Sequence, residues 1–127
     1  MADRLQMNAE FLDLRTTHPF IIARGGRSEY RTVWVRLRDG EGNEGWGEAA
    51  PSSFYGETAA TVMAALPHLE RALPSDPFDL EDTEQRLAAI MRYNAGARAA
   101  LSAALHDLAG KRLGIPLYRM WGLDPAK

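Results

Sequence analysis

The sequence predicts an α+β domain in which a three-stranded antiparallel sheet is followed by a helical layer. The first part of the 127-residue chain alternates apolar and polar residues, which is the period of half-buried strands. After Pro51, apolar residues recur every three or four positions, the spacing of amphipathic helices. Because the strands come first and the helices afterwards, the pattern favours an antiparallel sheet over a parallel one.

The first predicted strand starts near Leu5 and is followed by a loop. Its apolar residues alternate with polar neighbours until Leu12 and Leu14 shift the apolar phase by one residue, as a bulge or a strand end does. Pro19 and a Gly-Gly pair are breakers of regular structure. They predict a loop over residues 15–29.

The second and third predicted strands form an antiparallel hairpin. Apolar side chains at alternate positions of residues 30–38 face one side of the strand. The Asp-Gly-Glu-Gly-Asn segment at residues 39–43 is a strong turn signal. Residues 44–49 are then predicted to be the returning strand.

Two helices are predicted in the middle of the chain. The first carries an apolar stripe over residues 59–73. Pro67 lies inside this stripe and is expected to kink or split the helix, because proline has no backbone N–H to donate. The second helix is predicted from Asp79, its N-cap, to Arg92, with acidic residues in its first turn.

The third predicted helix is the best-specified element of the chain. Asn94 is in position to cap it, residues 97–108 form its apolar face, and Gly114 ends it. That face is rich in alanine, whose small side chain allows a neighbouring element to approach closely. A short helical turn is predicted over residues 118–121.

Composition and charge exclude several classes of protein. The formal net charge is −2 and the basic residues are scattered, so binding to nucleic acid is not expected. The chain contains no cysteine, which excludes disulfides, zinc–thiolate sites and thiol catalysis. No apolar run approaches the roughly 20 residues that span a bilayer. No membrane partner is therefore expected, and the predicted location is cytoplasmic.

The stretch from Ala23 to Ser28 combines arginines with glycines and is the first candidate binding segment. Its spacing matches neither the dinucleotide-binding fingerprint nor the P-loop, and no helix pattern follows it, which disfavours a phosphate site. Arg24 is a better candidate for a carboxylate, because its guanidinium is a planar fork and the glycines allow close approach. The alternative is an ordinary solvated loop arginine, which the residue pattern alone favours.

Other polar residues give weaker signals. His106 and Asp107 could hold a metal only with further ligands, and Asp107 can instead pair with Lys111 one turn later. The Tyr55-Gly-Glu-Thr58 segment is either the capped entry to the first helix or a substrate lid. No catalytic residue set is recognisable, so no cofactor is expected within this chain.

Several short stretches match one known family. They are Phe20-Ile-Ile-Ala-Arg-Gly25, Val33-x-Val-x-Leu-x-x-Asp-Gly40, Gly45-Trp-Gly-Glu-Ala-Ala-Pro51, Tyr55-Gly-Glu-Thr58, Ala99-Ala-Leu-x-x-Ala-Leu-x-Asp107, Gly114-Ile-Pro-Leu117 and Trp121-Gly-Leu123. Together they resemble the N-terminal capping domain of the enolase superfamily, in its muconate-lactonizing subgroup. The Ile-Ala-Arg-Gly loop is most similar to that of the dipeptide epimerases, such as the L-Ala-D/L-Glu epimerases.

The resemblance implies a division of the chain and a missing partner domain. Residues 1–114 would be the capping domain, and residues 115–127 would start the connection into a (β/α) barrel that is absent from the chain. In the family, two mobile loops of the cap close over the barrel mouth and select the substrate. Here these would be the loops around residues 18–27 and 51–56. A barrel needs roughly 250 further residues.

The resemblance also implies roles for five residues in these loops. Arg24 would pair with a substrate carboxylate, and Phe20, Ile22, Phe54 and Tyr55 would line the pocket wall. In the family, lysines of the barrel move the proton α to a carboxylate, and Mg²⁺ is held by barrel Asp and Glu residues. No catalytic residue and no metal ligand is therefore expected in this chain.

The implied function is a substrate-specificity cap of a Mg²⁺-dependent dipeptide epimerase, inactive alone. Its partners would be a dipeptide substrate and the missing C-terminal barrel, and a homo-oligomer stays open. One alternative is the cap of a muconate cycloisomerase or an o-succinylbenzoate synthase, because the cap motifs are shared. Another is a stand-alone α+β binding or assembly module. As a fragment, the chain is expected to leave the face of residues 97–108 and the apolar segment 115–121 partly uncovered.

Overall fold

A three-stranded antiparallel sheet forms one layer of the domain and the helices form the other. The computed structural model describes residues 4–127. The predicted α+β class, with a sheet followed by a helical layer, is confirmed. The strands are β1 (Gln6–Ile22), β2 (Gly25–Arg38) and β3 (Glu44–Ala49), paired in that order, and the helices are α1 (Ala59–Leu69), α2 (Leu80–Ile90), α3 (Ala95–Leu113) and α4 (Leu117–Met120), with 3₁₀ turns at Ser53–Tyr55 and Glu70–Ala72.

The hairpin of β1 and β2 extends beyond the part of the sheet that β3 joins. The predicted loop over residues 15–29 is wrong, because both strands continue to a turn at Ala23 and Arg24. Strand pairing satisfies backbone groups that a loop would leave to solvent. Gly25 has a φ of 116°, a conformation that favours glycine, so the glycine pair shapes the hairpin end instead of breaking the strands.

One irregularity interrupts the register of this hairpin. Pairing with β2 is unbroken through Leu12 and Leu14, so their change of apolar phase marks neither a bulge nor the end of the strand. The register shifts between Arg15 and Phe20 instead. Pro19 falls within this bulge, where a missing backbone N–H is tolerated.

The inner face of the sheet packs against the helices, and α3 lies directly over β3. Val33, Val35 and Leu37 of β2 are fully buried on this face. A Cβ atom added at Gly47 of β3 would lie 2.1 Å from the carbonyl oxygen of Ala100 in α3. The close approach predicted for the alanine-rich face of this helix is therefore confirmed, and it depends on glycine in the facing strand.

Both ends of α1 follow from local chemistry. The Thr58 side chain caps the helix by accepting a hydrogen bond from the backbone N–H of Thr61 at 3.2 Å. The Thr61 hydroxyl in turn accepts one from the backbone N–H of Thr58 at 2.9 Å. Pro67 does not split α1, because it lies in the last turn, and the helix continues to Leu69.

The boundaries of α2 and α3 lie close to the predicted residues. α2 ends at Ile90 instead of Arg92. Asn94 occupies the N-cap position of α3, but it adopts a left-handed φ of 49° and its side chain donates to the carbonyl oxygen of Arg92, so it does not cap the helix. Gly114 ends α3 as predicted. None of the helices within residues 4–127 combines the length and the apolar character needed to cross a membrane.

Asp39 joins the turn between β2 and β3 to the C-terminal end of α3. Its carboxylate accepts hydrogen bonds from the backbone N–H groups of Glu41 and Asn43, both at 2.9 Å, and from Nη1 of Arg112 at 3.0 Å. Burial by itself raises the pKa of Asp39, but the hydrogen bonds from Asn43, Glu41 and Arg112 outweigh it and hold that pKa below its usual value. The turn is thus fixed to α3 through a carboxylate that favours its charged form.

Two side chains of α3 bind the outer edge of β3. Oδ2 of Asp107 accepts a hydrogen bond from the backbone N–H of Trp46 at 2.8 Å, and Nζ of Lys111 donates to the carbonyl oxygen of Glu44 at 2.9 Å. The predicted pairing of Asp107 with Lys111 is confirmed at 2.7 Å. Both residues satisfy backbone groups at a sheet edge, which would otherwise be open to pairing with another chain.

Candidate functional site

The tip of the β1–β2 hairpin meets the segment that follows β3. Arg24, in the hairpin turn, places its guanidinium 4.1 Å from the ring centre of Phe54. Phe54 lies in the 3₁₀ turn Ser53–Tyr55. A cation–π contact of this kind contributes about 0.5–1 kcal/mol at an exposed site. The two segments that the sequence predicts as substrate loops are therefore in direct contact.

A cleft of about 440 Å³, called here the tip cleft, opens at this junction. The strand pairing explains one of its walls. Phe20 lies opposite Arg27 and Ile22 lies opposite Gly25, so these pairs share one face of the hairpin. Arg24, Gly26, Tyr30, Ser52 and Ser53 complete the lining.

The segment after β3 is held by short-range hydrogen bonds and by one long-range contact. The backbone N–H of Tyr55 donates to the carbonyl oxygen of Ser52 at 3.0 Å, and Gly56 turns the chain with a φ of 77°. Glu57 then accepts a hydrogen bond from the backbone N–H of Gly96 at 3.3 Å, in the first turn of α3. A carboxylate is favoured there by the helix dipole. The position of this loop therefore depends on α3.

Four of the five predicted site residues lie together. Phe20, Ile22 and Arg24 line the tip cleft, and Phe54 contacts the Arg24 guanidinium. Tyr55 packs edge-on against Phe54, with ring centres 5.0 Å apart, but it does not line the cleft. The binding roles of all five remain predictions.

Arg27 and Tyr30 also line the tip cleft. Arg27 belongs to the candidate segment from Ala23 to Ser28, but no role was predicted for it there, and no sequence pattern singles out Tyr30. The Arg27 guanidinium lies 4.9 Å from the ring centre of Tyr30, whose hydroxyl donates to the carbonyl oxygen of Arg27 at 3.0 Å. In a regular hairpin, a two-residue count predicts which side chains share a face. The bulge just before Phe20 shifts the register, so a count from the start of β1 does not predict that Arg27 lies opposite Phe20. Ser52 and Ser53 belong to no motif that would have identified them.

The tip cleft carries positive charge. Arg24 and Arg27 are its ionised residues, and among the described residues no aspartate or glutamate lines it. Within residues 4–127 neither guanidinium forms an ion pair with a carboxylate. A guanidinium is planar and weakly hydrated, and it matches the geometry of a carboxylate. The cleft is therefore chemically suited to an anion with apolar parts.

Metal binding would need groups that this domain does not bring together. Within the described range, no set of three or more His, Asp or Glu side chains is placed to hold a metal ion. Mg²⁺ is bound through oxygen ligands such as carboxylates, so the described residues do not fit a Mg²⁺ site. His106 contacts the carbonyl oxygen of Ser102 through Nδ1 at 2.8 Å, and its ring packs against Trp121. His106 and Asp107 are thus engaged in structural contacts.

Sequence comparison relates the whole domain to one family. The family described as "Mandelate racemase / muconate lactonizing enzyme, N-terminal domain" matches residues 7–122. The chain is 38% identical over 115 residues to the L-Ala-D/L-Glu epimerase of Bacteroides thetaiotaomicron, covering 91% of this chain and 30% of that protein. It is 45% identical over 98 residues to the L-Ala-D/L-Glu epimerase of Escherichia coli, covering 74% of this chain and 27% of that protein. The chain thus spans less than a third of the length of these relatives.

Solved structures agree with this relationship. The dipeptide epimerase from Cytophaga hutchinsonii, complexed with Mg and the dipeptide D-Ala-L-Val, has a TM-score of 0.86 at 26% identity, over 98% of this chain and 35% of that one. The L-Ala-D/L-Glu epimerase from Bacillus subtilis, a substrate-liganded complex, has a TM-score of 0.86 at 28% identity, over 94% of this chain and 34% of that one. The fold agrees along nearly the full length of the domain.

Proposed function

The chain belongs to the mandelate racemase/muconate lactonizing enzyme family, as its N-terminal domain, and we propose that it is the substrate-specificity cap of a dipeptide epimerase. The observation that carries this proposal is the contact between Arg24 and Phe54. It joins the hairpin tip to the loop after β3, beside a cleft with apolar walls and positive charge. Such a surface suits a dipeptide, which carries a carboxylate and side chains of varied polarity.

In this proposal the cap binds and orients the substrate, and the chemistry takes place elsewhere. Closure of the two loops over a dipeptide would exclude water and fix its orientation. We place the acid–base groups and Mg²⁺ in a C-terminal barrel, since the chain covers 30% of its Bacteroides thetaiotaomicron relative and its described residues offer no ligand set. Mg²⁺ there would stabilise negative charge on the reacting carboxylate. The cap alone would be inactive.

We propose the same domain boundaries that the resemblance implies. Residues 1–114 would be the cap, and residues 115–127 would begin the connection to the barrel. Gly114 supports this division, because it ends α3 in a left-handed conformation with a φ of 67°. The single turn of α4 follows, and the residues after Met120 form no further helix or strand within the described range.

Substrate contacts are assigned to the five predicted residues. Arg24 would pair with a carboxylate of the dipeptide, because its contact with Phe54 is to an aromatic ring and its guanidinium N–H groups are the donors that match a carboxylate. Phe20 and Ile22 would form the apolar wall within the cleft, and Phe54 and Tyr55 would extend it beside the cleft. Phe20 and Tyr55 expose 67% and 74% of their surfaces, which leaves apolar area for a substrate to cover.

The cellular setting is part of the same proposal. We expect the parent protein to act in the cytoplasm, in keeping with the absence of cysteine from the chain. Assembly into a homo-oligomer is open, and size-exclusion chromatography of the full-length protein with light scattering decides it.

The direct test is a proton-exchange assay with the full-length protein. With Mg²⁺ and L-Ala-L-Glu in D₂O, we expect loss of the ¹H NMR signal of the glutamate Cα proton and formation of L-Ala-D-Glu. The chain is also 32% identical over 128 residues to the o-succinylbenzoate synthase of Geobacillus stearothermophilus, so the substrate of that reaction and a muconate belong in the panel. Turnover of either one without exchange of any dipeptide would contradict the proposal.

A further inference from the structure

Two arginines line the tip cleft, and the proposed function uses one of them. The second is Arg27, which shares a face of the hairpin with Phe20 because these residues pair across the strands. Neither Arg24 nor Arg27 has a carboxylate partner within residues 4–127. A cleft lined by charge of one sign raises the local concentration of ligands of the opposite sign.

Tyr30 holds Arg27 at both ends. Its ring lies 4.9 Å from the Arg27 guanidinium, and its hydroxyl donates to the Arg27 carbonyl oxygen at 3.0 Å. An arginine side chain is otherwise free to sample many rotamers, and restraining it before binding lowers the entropic cost of binding. Tyr30 is therefore a positioning residue for Arg27.

The nearest carboxylate along β2 does not neutralise this charge. Glu29 is two residues from Arg27 along β2. Its partner in the strand register is Arg15, which lies on the other side of the bulge. Glu29 and Arg15 line a separate hollow of the surface and not the tip cleft. Arg27 and Tyr30 also border a neighbouring hollow that Arg31 and Glu57 line, whereas among the described residues the charged ones that line the tip cleft are Arg24 and Arg27.

From this geometry we infer that Arg27 is a specificity-determining residue that, together with Arg24, selects dipeptides whose C-terminal side chain carries a carboxylate. The inference rests on the proposed function, because it concerns the substrate of that same site. A neutral dipeptide has a single carboxylate, whereas an acidic C-terminal residue adds a second. Two guanidinium groups can bracket that second carboxylate, and a neutral side chain leaves them without an anionic partner.

The test compares two nearly isosteric substrates, L-Ala-L-Glu and L-Ala-L-Gln, with the full-length enzyme. Arg27→Met is expected to lower kcat/KM for L-Ala-L-Glu by about tenfold or more, the loss typical of one charge-assisted hydrogen bond. The value for L-Ala-L-Gln is expected to change by less than about twofold, because that substrate offers no charge to Arg27. Arg15→Met removes the same charge from the same hairpin outside the cleft, and it is expected to leave both values unchanged.

A second variant separates charge from packing. Arg27→Lys keeps the positive charge and is expected to retain part of the preference for L-Ala-L-Glu, and a melting curve checks that each variant is folded. If Arg27→Met lowers kcat/KM equally for both substrates, or leaves the ratio of the two kcat/KM values unchanged, the inference is overturned and the proposed function stays intact. If the wild-type enzyme epimerises neither these nor other dipeptides, the proposed function is wrong and the inference fails with it.

Discussion

The Arg24 guanidinium has two kinds of surface available for contact. Its central carbon, Cζ, lies over the Phe54 ring, 4.1 Å from the ring centre. Its N–H groups point outward in the plane of the guanidinium, and they are the donors that match a carboxylate. Phe54 can therefore hold the side chain of Arg24 in place without competing for the donors that the substrate would use.

Replacing Arg24 with methionine in the full-length enzyme tests this role. Loss of one charged hydrogen-bond pair costs about 1.5–3 kcal/mol. We therefore expect kcat/KM for an acidic dipeptide to fall about 10- to 150-fold. Steady-state kinetics with L-Ala-L-Glu measures the change, with Arg15→Met as the matched control. An Arg24→Met enzyme that keeps the wild-type value would refute the assignment.

Sequence patterns single out individual candidate residues where the chemistry is local, and the binding roles of these residues remain predictions. Arg24 stands out in the sequence because glycines follow it, and the aromatic Phe54 lies between a proline and a glycine. No role was predicted for Arg27 within its candidate segment, and none for Tyr30, because the positions of both depend on strand pairing. Their position relative to Phe20 is set by a register shift that no residue period reveals.

At the scale of elements, strand pairing that residue patterns do not reveal also explains why the full length of the hairpin was not predicted. Proline and paired glycines usually end strands, and here they lie in a bulge and at a tight turn of a continuous ladder. The helices were easier to predict, since the three-to-four spacing persists over several turns. The residues that cap the helices were harder to predict. Asn94 is at the expected position, but its side chain is turned to the carbonyl oxygen of Arg92.

The contact of α3 with β3 predicts a strong effect of a small substitution. In Gly47→Ala the new Cβ would lie 2.1 Å from the carbonyl oxygen of Ala100, so one backbone must move. We expect a loss of about 1–3 kcal/mol of stability or more, measured by urea unfolding of the protein that contains this domain. Gly96→Ala is the control, because its nearest contact would be 3.5 Å and alanine favours helix. Equal stability of the two variants would contradict this packing.

Asp39 predicts a pH dependence of the turn between β2 and β3. Its folded-state pKa lies below the ordinary value of 3.8, so its contribution to stability is fully present above that value and is lost as the pH falls through the lower, folded pKa. Asp39→Asn removes the negative charge of the carboxylate that accepts a hydrogen bond from Arg112 at 3.0 Å. We expect this substitution to lower the free energy of unfolding by about 1–3 kcal/mol at pH 7.

Urea midpoints at pH 7 and pH 3 measure this effect. The difference in urea midpoint between wild type and Asp39→Asn should narrow at pH 3, because below the ordinary pKa of 3.8 the unfolded chain takes up a proton on Asp39 more readily than the folded protein does. Lys111→Met, which removes a cation that does not contact Asp39, provides a comparison for general charge effects. A difference in urea midpoint between wild type and Asp39→Asn that widens at pH 3 would show that Asp39 has been assigned the wrong role.

At the scale of the whole molecule, two groups of exposed apolar side chains bear on the proposed cap. One is the hairpin tip with the loop after β3. The other is the C-terminal end, where Ile115, Tyr118 and Trp121 are all exposed. The expectation that the face of residues 97–108 would be partly uncovered is wrong for its apolar stripe, which is buried against the sheet and the other helices. Exposed aromatic and aliphatic side chains grouped in this way are typical of surfaces that another domain or a ligand covers.

The proposed function therefore predicts that the isolated 127-residue chain behaves differently from the proposed full-length enzyme. We expect the isolated chain to bind a hydrophobic dye such as ANS and to self-associate, and the full-length protein to do much less of both. Light scattering and dye fluorescence at equal molar concentration measure these properties. Trp121→Ser, which removes a side chain that is 55% exposed, should lower dye binding by the isolated chain.

The opposite outcome is equally informative about this surface. A chain that is monomeric, unfolds cooperatively and leaves the dye silent would not need a covering domain, because its apolar side chains would then be tolerated singly in water. That result would favour the stand-alone binding module over the cap. A dye signal that disappears in the full-length protein would instead show that apolar surface of the chain is covered there. Because the chain contains three tryptophans, a fluorescence shift to shorter wavelength that is lost in Trp121→Ser would show that the C-terminal end is part of the covered surface.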